Sequence, residues 1–521
     1  MRRYGLKLAI VGALLLGMAG GAVVAQESSG PAGDAPRGGA AEDSATLEEG
    51  RPVVSASVAL QPEYYVNLPR ADFAEQLLRE APLVLLGLAM EADNGALLRA
   101  RAVLQREWPI DSATNLPVPV EGNPIPVENN LLWEGILRIP VGPLMTTVGR
   151  QQVALGPDPL DSLYVSERVP FLDAIQSMLS LGPLTMTHVI STLENRRAAP
   201  DTVVPDRALY DFGTNIILYN IHYYSWDWGP LQTGFGSQVL IARAMNQFQL
   251  GDFFPVFSWH QADITPNNMS LVGDVVFQLG RAGEAFLQYG WDDISAETFG
   301  FADTVVPTID AYLGGWRGEW SLSGAGGLRG GARGDGRVGG RPGGDEPADG
   351  SVETTPGRPT SDSAPPLLSA DLLAGYTHYL WGNFEDANSL ARAIYRLEGD
   401  GTRPSMPLTS PYGPGALWFR ARASLEWRGA RAALRYRALG RKPGVDLYTT
   451  SYASSDAIEA TARTWNHRVQ LEAEHLAEEV FSGAGLGLAL IPEFRWGTDG
   501  TAFGLEVSGF FRYHASTLVA E

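Results

Sequence analysis

The stretch LWFRARASLEWRGARAALRYRA, residues 417–438, decides how the rest of the chain is read. Leu417, Phe419, Ala421, Ala423, Leu425 and Trp427 alternate with Trp418, Arg420, Arg422, Ser424, Glu426 and Arg428. Beyond Gly429, Ala432, Leu434, Tyr436 and Ala438 alternate with Arg431, Arg435 and Arg437. Strand side chains point to opposite faces with a period of two, so this is a hairpin with one apolar and one arginine-bearing face. Each arm runs about ten residues, the length that crosses a bilayer at barrel tilt; strands of a soluble sandwich are usually only about five or six.

The C-terminus repeats the pattern. Leu486, Leu488, Leu490, Phe494 and Trp496 share a face; after the turn Thr498-Asp499-Gly500, so do Phe503, Leu505, Val507, Phe511 and Tyr513. Glu506, Ser508, Arg512 and His514 take the other side. Trp418, Trp427, Trp496 and Tyr513 stand near strand ends, where interfacial girdles belong. The fold expected over residues 52–521 is an all-β, closed antiparallel transmembrane barrel of roughly 16 to 18 strands. A short helix is expected at Asp72–Glu80, stopped by Pro82.

Short and long links should alternate in such a barrel. Reading backwards, the turn near Gly483 is short, 441–464 long, 428–429 tight, 399–415 long, 382–386 short and 324–366 very long. Thr498–Gly500 breaks the rhythm, and upstream of Tyr312 the parity slips. The stretch 324–366, GAGGLRGGARGDGRVGGRPGGDEPADGS and onward, is low in complexity and reads as a solvated loop insertion, with a polymer-binding arm as the alternative.

Composition narrows the class. Residues 1–25 carry Arg2, Arg3 and Lys7 before an apolar run, then Val23 and Ala25, which reads as a secretory signal cut after Ala25. Residues 26–51, rich in Gly, Ser, Ala, Pro and Glu, read as a flexible periplasmic leader. No other segment approaches the ~20 apolar residues of a spanning helix, so a membrane-resident protein must span as strands. The formal charge of −20 argues against nucleic-acid partners. With no cysteine, disulfides, a lipobox and thiolate metal sites are excluded.

One run of features goes beyond periodicity. WEGILRIPVG (133–142) leads into MTTVGRQQVALGPDPLDSLYVSERVPFLDAIQSM (145–178), and VGDVVFQLGRAGEAFLQYGWDDI (272–294) follows Asn267 and Asn268. With the later Ser410-Pro411-Tyr412-Gly413-Pro414, this resembles the Wzi-type capsule-assembly family. The Gly-rich insertion and the acidic leader depart from that pattern. The resemblance implies an outer-membrane barrel that retains or organises surface polysaccharide.

Two constellations could bind such a ligand. Arg420, Arg422, Arg428, Arg431, Arg435 and Arg437 fall on the polar face of the 417–438 hairpin, and guanidinium groups bind carboxylates in bidentate fashion. Arg420, Arg422, Arg431, Arg435 and Arg437 are therefore candidate ligand-binding residues; the alternative is pairing with lumenal Glu426 and its neighbours. In YYSWDW (223–228), Trp226 and Trp228 could stack on sugars while Asp227 accepts hydroxyls, or the segment could be an interfacial belt. Asp292-Asp293 reads as a turn rather than a shared carboxylate site, and the seven histidines are scattered. No catalytic, metal or cofactor motif is found. The expectation is a non-catalytic monomer of the bacterial outer membrane, in contact with outer-membrane lipid, that binds anionic surface polysaccharide. The alternatives are an anion porin or export channel, a barrel hydrolase and a purely structural barrel.

Overall fold

The computed structural model describes residues 53–60, 63–66, 84–104, 132–167, 171–193, 216–243, 250–253, 267–293, 308–322, 365–382, 406–410, 412–445, 461–481, 484–498 and 500–518, with a few isolated others. The signal segment, the leader, most of the insertion and the helix expected at Asp72–Glu80 lie outside the described residues.

The strands are β1 (Val53–Leu60), β2 (Val84–Glu91), β3 (Leu97–Leu104), β4 (Leu132–Val141), β5 (Leu144–Gln151) and β6 (Leu172–Leu181). They continue as β7 (Leu184–Leu193), β8 (Ile216–Asp227), β9 (Leu231–Arg243), β10 (Asn267–Gln278), β11 (Glu284–Asp293) and β12 (Ile309–Ser321). The last six are β13 (Leu367–Thr377), β14 (Ala416–Trp427), β15 (Ala430–Arg441), β16 (Thr464–Phe481), β17 (Ala484–Gly497) and β18 (Gly500–Leu518). Each pairs antiparallel with the next, giving the 18 strands of the main sheet. β1 pairs with β2 on one side and with β18 on the other, Val53 facing both Glu91 and Leu518. The ladder thus returns to its first strand, which satisfies the backbone polar groups of both terminal strands. Glu63–Val66 prolongs β1 along β18 in the same register.

The outward face is apolar. Leu425, Leu434, Leu471 and Leu488 of β14–β17 are 41–52% exposed, as are many leucines and phenylalanines around the ring. In water this would be an apolar surface far larger than a soluble monomer tolerates. Near one rim Tyr289 packs against Trp291 and Tyr312, and Tyr312 against Tyr376, with centroids 4.2–6.0 Å apart. Phe419, Tyr436, His467 and Trp496 carry the belt on through β17. Trp418 departs from the girdle expectation. It points inward at 1% exposure and lies over Gly375, where a Cβ would come 2.1 Å from its ring.

Links obey the two-length rule more closely than the sequence suggests. Even-numbered strands end in tight connections such as Gly142-Pro143, Gly182-Pro183 and Arg428-Gly429. Arg428 (φ 50°) and Gly429 (φ 73°) supply the two positive φ values of a type I′ turn. The link at 498–499 is the short exception on the long-link rim. The 378–415 stretch is one long link, because β13 pairs directly with β14, so the expected short turn at 382–386 does not separate two wall strands. The insertion therefore leaves and re-enters the wall at the short-turn rim, where Leu322 N donates to Pro366 O at 2.8 Å.

Candidate functional site

The lumen is not empty. The link between β5 and β6 carries Val153, Leu155, Leu163, Tyr164 and Val165, all at 0–5% exposure, and their burial turns it inward. Asp158 Oδ1 accepts the backbone N–H groups of Leu160 and Asp161 at 3.0 and 2.8 Å, an Asx turn that fixes the bend. Gln238 of β9 donates to Leu163 O at 2.9 Å, Gln288 of β11 accepts from Leu163 N at 3.0 Å, and Tyr164 donates to Val272 O of β10 at 2.5 Å. From this seat the segment reaches β14, where Arg420 binds Asp158 at 2.8 Å and Asp161 at 2.7 Å. Asp371 of β13 completes the cluster at 3.2 Å. Burial disfavours ionisation of Asp158, but the Arg420 charge and the Asp161 backbone N–H outweigh it and hold the carboxyl below its usual range. Burial pushes the Tyr164 hydroxyl well up, so it is a permanent donor to the β10 carbonyl.

The β13–β14 link adds a second inward piece, with Tyr379, Leu380, Trp381, Leu408 and Tyr412 buried. Trp381 lies over Gly290 of β11, where a Cβ would stand 2.6 Å from the ring. Gly382 N donates to Asp292 Oδ2 at 2.8 Å, and Thr377 Oγ1 donates to Gly413 O at 2.7 Å. Both pieces share one apolar cluster with inward residues of β6–β15, including Ile221, Leu240, Val272, Phe286, Leu313 and Leu373.

Against β14–β17 the lumen is lined by charge. Register places Arg420 opposite Arg437, Arg437 opposite Arg468, and Arg468 opposite Arg495. Four like charges in adjacent positions repel, and carboxylates from neighbouring rows offset this. Glu493 accepts from Arg468 at 2.7 Å and contacts Arg495, Glu472 meets Arg435 at 2.5 Å, and Arg431 reaches Glu474 at 4.0 Å. Arg437 lies 5.8 Å from the Tyr412 ring. One row below the arginine row, Asp371 stands directly opposite Arg422 but gives its carboxylate to Arg420. The Arg422 Nε is buried and finds no hydrogen-bond acceptor, and among the described residues Arg422 forms no ion pair.

The structure thus brings Arg420, Arg422, Arg431, Arg435 and Arg437 to one lumenal wall, though in different circumstances. Arg420 clamps the inward link, Arg431 and Arg435 face glutamates of β16, and Arg422 stands apart. Arg428 is off the wall, in the turn, with its guanidinium 4.8 Å from the Trp427 ring. Trp226, Asp227 and Trp228 do not form one cradle. Trp226 and Asp227 point to opposite faces, Asp227 caps the turn through Gly229 N at 2.8 Å, and Trp228 is 60% exposed at the short-turn rim. Asp292 and Asp293 end β11 rather than forming a turn. Sequence reading missed Asp158, Asp161, Gln238 and Gln288. The signal available was GPDPLDS (156–162), two carboxylates spaced for an Asx turn inside an apolar run.

No family model matches the chain, and no curated protein matches it in sequence. Among solved structures it is similar to Wzi of Escherichia coli, an outer membrane protein involved in group 1 capsule assembly and a carbohydrate-binding β-barrel, with a TM-score of 0.46 and 11% identity over 88% of this chain and 83% of that one. It is also similar to OccK3 (OpdO) of Pseudomonas aeruginosa, with a TM-score of 0.41 and 9% identity over 89% and 96% of the two chains. The outer membrane protein OprD of the same organism aligns at 0.40 and 9% identity, over 91% of this chain and 96% of that one.

Proposed function

We propose that this chain is a non-catalytic barrel of the bacterial outer membrane, a monomer without cofactor, that holds an anionic surface polysaccharide against its lumenal arginine wall. The half-exposed apolar exterior and the aromatic belt support the membrane setting. The inward links, pinned at β9, β10, β11 and β14, support holding rather than free passage. The observation that carries the ligand class is Arg422, a mid-wall guanidinium with a buried, unpartnered Nε whose register partner is engaged elsewhere. A half-buried guanidinium without an ion-pair partner among the described residues is a site that a carboxylate, sulfate or phosphate on a sugar would satisfy.

The test is direct binding of an oligouronate and of a neutral oligosaccharide of equal length to the purified chain. The acidic ligand should bind more tightly, less so at high salt, and Arg422→Gln should weaken it roughly 10-fold or more, the worth of one charge-assisted contact. Equal binding of the two sugars, or an unchanged Arg422→Gln variant, contradicts the reading. A channel for anionic solutes is the second reading, favoured by the charged lining of β14–β17.

A further inference from the structure

A second polar cluster lies on the outside of the barrel, on the face that elsewhere carries half-exposed leucines. His188 of β7 and His222 of β8 are directly opposite in register, their rings stacked at 4.7 Å and 13°. Ser237 of β9 is opposite His222, and Ser177 of β6 is opposite His188. His222 shares its face with Trp226 and, across the ladder, with the 36%-exposed Phe235, so this row points away from the lumen. Yet His222 and Asn220 are 1% exposed and Ser237 is fully buried. Lipid-facing positions of a bare wall are not buried in this way.

Part of the cover is identified by a hydrogen bond. Asn220 Nδ2 donates to the backbone carbonyl of Asp252 at 3.2 Å, and Asp252 belongs to the 3-10 turn Leu250–Phe253 in the β9–β10 link. The Asn220 oxygen is thereby turned to His188, whose Nε2–H donates to it at 2.8 Å. A continuous bridge runs from imidazole to amide to the covering turn. Leu218, Val239, Ile241 and Met269 form an apolar cluster on the same outer face. Besides the two imidazoles, the register neighbours of the pair are Ser177 and Ser237; the titratable residue of the covering turn is Asp252, 4% exposed, and the Arg150–Asp173 ion pair lies further along β5 and β6.

Two neutral imidazoles suit such an apolar seat. Charged ones do not, because an imidazolium gives up its hydration there and a stacked pair of them repels. We propose that the Leu250–Phe253 turn is an acid-released strap, seated over the His188–His222 pair when both rings are neutral and lifted when acid charges them. Lifting would expose a row of hydroxyls and imidazoles across β6–β9 on the outer wall.

The chain has no cysteine, so Phe253→Cys, at a 44%-exposed position, can carry a single spin label on the strap. The full-length protein is placed in phosphatidylcholine vesicles, and collision with a water-soluble paramagnetic reagent is measured at about pH 7.5 and about pH 3.5, the lower value set well beneath the ordinary histidine range so that a buried, stacked pair is charged. A several-fold rise in accessibility at the lower pH is expected, and its loss in His188→Gln/His222→Gln. No rise in the parent, or the same rise in the double variant, overturns the proposal. Heat-modifiable migration on gels checks that each variant is folded. If the double variant does not fold, His188→Gln alone, which keeps a donor toward Asn220, should show a smaller rise, and an unchanged rise overturns the proposal equally.

Discussion

The two sides of the lumen are built on opposite principles. From β6 to β13 the inward face is largely apolar, with Val189, Ile221, Leu240, Val272, Phe286 and Leu313 at 0–6% exposure against the inward links. From β14 to β17 it is charged, with arginines and glutamates facing each other across strands. Arg420 is the hinge between them, since it starts the arginine row and also closes on Asp158 and Asp161. Burial holds one side and charge pairing the other, and substitutions should separate the two.

The largest effect is expected at the junction. Arg420→Gln takes the guanidinium away from two buried carboxylates, which should cost about 3–5 kcal/mol. A marked drop in unfolding temperature of the detergent-folded protein would report it, with part of the loss recovered on adding Asp161→Asn. Next comes the apolar side. Leu163→Ala should cost about 2–5 kcal/mol through the cavity it leaves, whereas Leu434→Ala, half exposed on the outer face of β15, should cost markedly less. Equal losses in denaturant titration would erase the distinction between seat and exterior.

A smaller effect concerns pH. The Asp158 carboxyl is held below its ordinary value of 3.8, so its pairing stabilises the inward link at neutral pH and is lost only as pH falls through and below that value. Protease resistance of the 152–171 link should therefore be the same at pH 7 and pH 5 and fall only in stronger acid, with Asp158→Asn removing the acid step. Loosening already at pH 5 would contradict the assignment. Smallest in energy is a question of sidedness. The ends of the insertion meet the short-turn rim, which faces the periplasm in such barrels. A lone cysteine at Val338 should react with an impermeant thiol reagent only after the outer membrane is opened, while one at Thr449, in the β15–β16 link, should react on intact cells.

The same contrast explains what the sequence disclosed. On β14 and β15 the lumen is polar, so alternation is clean, and residues 417–438 show strand, face and turn at once. On β8 and β9 both faces are apolar or buried: Ile221 and Leu240 point inward, Leu218 and Val239 outward, all at 0–4% exposure. A strand buried on both sides loses its period of two, as strands of parallel sheets do. The link parity upstream of Tyr312 slips for another reason: the expected turn at 382–386 adds a strand boundary that the wall does not have, since β13 pairs directly with β14. The arginines were legible because they cluster along one hairpin, whereas the carboxylates that engage them come from β16, β17 and a link more than 250 residues away in sequence. No local pattern connects Asp161 to Arg420.

Two inward links, one of them pinned at Arg420, enter the lumen, and the proposal built on them is that the barrel holds a ligand rather than passing solutes. Planar-bilayer recording on the purified full-length chain tests this most directly. The account predicts no steady open current from the parent protein, and one from a variant carrying Asp158→Asn with Asp161→Asn. A stable, anion-selective current from the parent would contradict it.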